Sequence, residues 1–77
     1  MDEVLREIGR IAREELGMAR EIRPGDDLLA DLQLDSVSLL TLVVGLEDRF
    51  SVTLEEEDAA QVRTVQDLAN LVVSRRC

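Results

Sequence analysis

The chain is predicted to fold as an all-α four-helix bundle, three long helices and one short, with a long first loop and one domain over residues 1–77. Three observations predict it. Apolar residues recur at helical spacing in separate runs, each opened or closed by cap residues. Only Ser51-Val52-Thr53-Leu54 alternates like a strand, and no second strand candidate exists to pair with it. A chain of 77 residues can build one modest core, and with Phe50 as the sole aromatic that core must be aliphatic.

The first helix is predicted over Asp2 to Leu16. Val4, Leu5, Ile8, Ile11, Ala12 and Leu16 share one side, while Glu3, Glu7, Arg10 and Glu14 can pair across turns on the other. Acids in the first turn suit the helix dipole. Gly9 interrupts the helix at a cost of about 1 kcal/mol relative to alanine, which points to close packing there. Gly17 supplies a stop. Between Met18 and Leu34, the segment Arg23-Pro24-Gly25-Asp26-Asp27 prevents the helix from continuing. Ile22, Leu28, Leu29, Leu32 and Leu34 are expected to pin this loop to the bundle, with a helical turn over Asp27 to Leu32. A connection of this length in a compact domain points to function. It delivers Asp35-Ser36 to the start of the next helix.

Asp35-Ser36 is a helix-start signal followed by a long apolar run with two stripes. Leu39, Leu42, Val43, Leu46 and Phe50 follow the helical spacing of a core face. Val37, Leu40 and Val44 form a second, offset stripe that so small a bundle buries only in part. Its exposed side chains, beside Ser36 and above Glu47 and Asp48, would make a docking surface. Val52 and Leu54 are then expected to point inward from an extended connector. A short acidic helix over Glu55 to Val62 is anchored by Ala59 and Val62. Thr64 N-caps the last helix with Asp67 in a capping-box position, and Val65, Leu68, Ala69, Leu71, Val72 and Val73 supply its buried side. Arg75 and Arg76 suit its C-terminal end.

The net charge of −8 is unevenly placed. From Pro24 to Val62 the acids are Asp26, Asp27, Asp31, Asp35, Glu47, Asp48, Glu55, Glu56, Glu57 and Asp58, opposed by Arg49 alone; the flanks are nearly balanced. Such a surface excludes nucleic acid as a partner and favours a basic patch on another protein. Histidine, tryptophan, tyrosine and lysine are absent, which removes the usual general base, the commonest metal ligand and the common Schiff-base residue. The aspartates lack the D-x-D-x-D-G spacing and closing glutamate of a calcium loop. No catalytic or metal residue is therefore assigned, and the chain is not expected to be an enzyme. Cys77 stands alone at the C-terminus and cannot close an internal disulfide. No apolar run reaches spanning length, and Asp2 and Glu3 argue against a signal peptide, so a cytoplasmic monomer without membrane insertion is expected.

Asp31-Leu32-Gln33-Leu34-Asp35-Ser36-Val37 resembles the attachment motif of acyl carrier proteins, D-L-G-x-D-S-[LIV]. The resemblance continues through Glu47, Asp48 and Phe50, then Val52 and Leu54, Glu55-Glu56-Glu57-Asp58, and Thr64-Val65-x-Asp67-Leu68. It implies an acyl-carrier-like bundle in which a phosphopantetheinyl transferase attaches 4′-phosphopantetheine, taken from coenzyme A, to Ser36. Acyl intermediates of fatty-acid, polyketide or related biosynthesis would then ride on that arm as thioesters. Asp35 reads as the cap of this helix, and the resemblance further implies that it belongs to the transferase recognition motif. It likewise implies that Glu47, Asp48, Glu55, Glu56 and Glu57 meet basic docking patches on acyl-processing enzymes.

Some residues depart from the pattern. Gln33 replaces a glycine, so the turn must either avoid a left-handed backbone or hold glutamine in one. Ser38, Thr41 and Arg49 stand where fatty-acid carriers often have acids, which favours a dedicated secondary-metabolite or specialised lipid pathway. Taken by itself, Ser36 reads as a capping residue, with no histidine and no G-x-S-x-G elbow to activate it. A helix start does offer unpaired N–H groups and a favourable dipole to a phosphodiester. Ser38 lies about 200° round the helix from Ser36 and reads as a solvated serine. The competing reading is a helical protein–protein interaction module, never modified, that docks a partner helix on Val37, Leu40 and Val44.

Overall fold

Helices α1 (Asp2–Glu14), α2 (Ser36–Phe50), α3 (Glu56–Gln61) and α4 (Val65–Arg75) follow in that order in a computed structural model describing residues 2–18 and 21–76. Cys77 and the side chain of Glu56 lie outside the described residues. The expected all-α bundle of three long helices and one short is what forms. α1 packs against both α2 and α4, and the core is aliphatic: Ile8, Ile11, Leu28, Leu42, Leu46 and Leu68 are fully buried at its centre.

α1 ends at Glu14, short of Leu16, because Gly17 turns the chain at φ +68 and lets the Met18 amide reach back to the Ala12 carbonyl at 3.0 Å. Glu7, expected on the solvent side, is buried. The Arg10 guanidinium binds it from within the helix, and Arg49 Nε approaches its other oxygen at 3.8 Å from α2. Two arginines thus make burial of this carboxylate tolerable. They also explain a second difference, since Arg49 faces Glu3 and Glu7 on α1 instead of opposing the acids of the attachment face. Among the described residues nothing lies within 4 Å of a Cβ built on Gly9, so none of them requires that glycine. The close approach occurs at Gly45, where an added Cβ would stand 2.9 Å from Ile11 Cδ1.

The loop is anchored to the α3–α4 junction by backbone bonds. Leu28 donates to Arg63 O at 2.9 Å, Val65 to Asp26 O at 3.0 Å and Gln66 to Pro24 O at 2.8 Å. Within it the anticipated turn forms, with the amides of Asp31 and Leu32 both donating to Asp27 O at 3.0 Å. Leu28, Leu32 and Leu34 are buried and Ile22 packs against the core, but Leu29 is 65% exposed. Asp27 Oδ1 captures the amides of Leu29 and Ala30 at 2.8 Å, a local cap at the position where Leu29 stays in solvent. Val52 and Leu54 are buried as expected. On α4, Thr64 Oγ1 and Asp67 exchange the reciprocal bonds of a capping box, while Val73 proves exposed. α3 is held to α4 by Arg75 and Asp58 at 2.8 Å.

Candidate functional site

The long loop and α2 meet at Asp35-Ser36. Asp35 is the N-cap, with extended backbone, and its Oδ1 accepts from the Ser38 amide at 2.8 Å. That bond, helped by the Ser38 hydroxyl, holds the Asp35 carboxyl below its ordinary pKa. The unpaired-amide picture of this helix end therefore needs correction, because a carboxylate already occupies part of it. What the site offers is Ser36 itself, the first helical residue, which is exposed. Ser38, expected in solvent, is half-buried.

Gln33, three residues before Ser36, takes the left-handed conformation at φ +55. Of the two routes open at that position, the chain holds glutamine where glycine would be unstrained. Leu34 then returns its amide to Leu28 O at 3.0 Å, which fixes the approach of the chain to the helix.

Two shallow grooves flank the start of α2. One, of about 660 Å³, runs from Ser36 along Leu39, Leu40 and Val43 to Leu54, Ala59 and Ala60 of the connector and α3, with Glu47 and Glu55 at its edge. Its far wall owes its low profile to the paired alanines of α3, a role not apparent before the fold was known. The other lies on the α1 side and is lined by Val37, Leu40, Val44 and Asp48 together with Ile11, Arg10 and Arg49. Leu40 belongs to both and forms the ridge between them. The apolar stripe stands in solvent as expected, with Val37 73%, Leu40 62% and Val44 46% exposed.

The acidic residues divide. Asp48, Glu55 and Glu57 are exposed. Glu47 is half-buried, and its Oε2 accepts the Leu54 amide at 3.0 Å, so part of its capacity is spent holding the connector against α2. Asp58 is committed to Arg75 and to the Glu55 amide. Among the described residues no group of three or more His, Cys, Asp or Glu side chains is arranged to hold a metal ion, and no helix is long and apolar enough to cross a membrane.

Comparison with known proteins places these features in a wider set. A family profile described as a phosphopantetheine attachment site matches residues 6–72. An acyl carrier protein of Myxococcus xanthus is 35% identical over 72 residues, covering 92% of this chain and 91% of its own. One from Kineococcus radiotolerans is 39% identical over 71 residues, covering 84% and 82%. The crystal structure of an acyl carrier protein from Thermotoga maritima superposes with a TM-score of 0.85 at 25% identity, over 96% of this chain and 87% of that one.

Proposed function

The chain belongs to the acyl carrier protein family, whose members are carriers and not enzymes, and from that premise we propose that Ser36 is where 4′-phosphopantetheine is attached. The observation that carries the reading is an exposed serine at the first residue of α2, inside the stretch that matches the family profile. That exposure leaves Ser36 open to a visiting transferase. Asp35 keeps the helix start in place by tying its carboxylate to the Ser38 amide, so Ser36 is presented on a capped helix end and not on a frayed one.

The residues around Ser36 fit such a group. Attached, the arm supplies a terminal thiol for holding acyl groups as thioesters, which no described side chain of this protein offers. Leu39, Val43, Leu54, Ala59 and Ala60 give an apolar floor beside the attachment point, and Glu55 at its rim leaves the surface negative. Leu40, Val37 and Val44 offer apolar contact to an enzyme covering Ser36, with Asp48, Glu55 and Glu57 steering a basic docking patch. Glu47 contributes less to docking than its position along the helix suggests, since it is partly engaged. The acyl-processing partners belong to fatty-acid, polyketide or related biosynthesis.

Incubation with coenzyme A, magnesium and a broad-specificity phosphopantetheinyl transferase should add one prosthetic group per chain by intact mass. Ser36→Ala should gain none while keeping the helical circular dichroism of the parent. A Ser36→Ala protein that still gains the mass would refute the assignment. A parent protein that gains none, yet binds a partner helix through Val37, Leu40 and Val44, would favour the unmodified interaction module.

A further inference from the structure

We infer that Gln33 is a specificity-determining residue for the enzyme that modifies Ser36, its side-chain amide forming a hydrogen bond to that transferase; this rests on the reading of Ser36 given above. The observation is a conformational cost with no compensating hydrogen bond among the described residues. Gln33 holds φ +55, a region that disfavours every residue with a Cβ relative to glycine. Its side chain is exposed and, among the described residues, makes no hydrogen bond. The one other non-glycine residue described at positive φ, Ser51, stands at the C-cap of α2, where its N–H closes on the Glu47 carbonyl. The left-handed backbone at Gln33 is likewise explained by the turn it makes, but glutamine in place of glycine is not.

Sequence separation keeps Gln33 close to Ser36, and both are exposed. Three residues of chain span at most about 11 Å between Cα atoms. An ordinary protein–protein contact covers about 800 Å² on each partner, a disc of roughly 16 Å radius. An enzyme seated over the Ser36 hydroxyl with such a footprint extends past Gln33. The amide stands between Asp31 and Asp35, and it is the uncharged donor in a stretch otherwise marked by carboxylates. It can therefore be read by a neutral acceptor, adding a contact that charge steering does not supply. A neutral hydrogen bond changes an association equilibrium about three- to tenfold.

The test measures transferase initial rates against concentration of the full chain, with coenzyme A and magnesium saturating, for the parent, Gln33→Ala and Gln33→Gly, alongside the melting temperature of each. Both variants should raise KM about three- to tenfold with kcat unchanged. Only Gln33→Gly should also raise the melting temperature, since it alone relieves the backbone. Both variants within twofold of the parent KM would overturn the inference while leaving Ser36 as the attachment residue. A KM that changes in Gln33→Gly but not in Gln33→Ala would overturn it too, by assigning the effect to the backbone. A parent chain that takes up no arm would remove the reading of Ser36 and this inference with it.

Discussion

Asp35 holds the start of the helix that carries the proposed attachment point. Its carboxylate closes the first turn of α2 on the Ser38 amide, and loss of such a cap costs about 0.5–2 kcal/mol. A domain of this size has only about 3–5 kcal/mol in hand. Asp35→Ala should therefore lower the urea midpoint visibly while leaving Ser36 exposed, as denaturation followed by circular dichroism would measure. An unchanged midpoint would mean that the tertiary anchors of the loop hold the helix start without the cap. The role of Asp35 was legible from its place before a helical run. The burial of Glu7 was not, because its arginine partners come from two helices and the pairing with Arg49 depends on how α1 and α2 cross.

At the scale of elements, helical periodicity located each long helix to within two residues, because one face of each had to be apolar to build the core. Ends were less legible: Gly17 stops α1 as expected, but the helix closes at Glu14 and not at Leu16, and of the five apolar residues expected to pin the loop Leu29 alone stays in solvent, where Asp27 caps the turn. The close packing expected at Gly9 is found at Gly45 instead, since a helix crossing is a property of pairs. Gly9 meets open space, so Gly9→Ala should stabilise the protein by about 0.5–1 kcal/mol. Gly45 sits against the buried Ile11, so Gly45→Leu should overpack the α1–α2 contact and cost about 1–3 kcal/mol. Thermal denaturation of the two variants should move the midpoint in opposite directions. The exposed stripe of α2 was legible because three apolar residues lay off the core face, whereas the groove toward α3 could not be read before Ala59 and Ala60 were placed beside Ser36.

For the molecule as a whole, folding brings an acidic face around a small aliphatic core, with a radius of gyration of 11.0 Å, close to the about 11 Å expected for this length. Three carboxylates tie stability to pH. The Arg10 hydrogen bond lowers the pKa of Glu7, the Ala30 and Leu29 amides lower that of Asp27, and the Ser38 amide lowers that of Asp35. Each is held below its unfolded value, so the unfolded chain binds protons first as pH falls. The stability they confer is complete above the unfolded carboxylate range near pH 4 and is lost as pH drops through the folded values beneath it. Urea midpoints measured from pH 6 downward should hold until about pH 5 and then decline, and Asp35→Asn should flatten that decline.

The carrier function itself depends on one oxygen. Its most direct test is fragmentation mass spectrometry of the parent chain after modification by the transferase, locating the phosphodiester residue by residue. The added mass should fall on Ser36, with Ser38 and Ser51 unmodified; an arm on any other hydroxyl, with Ser36 bare, would contradict the account.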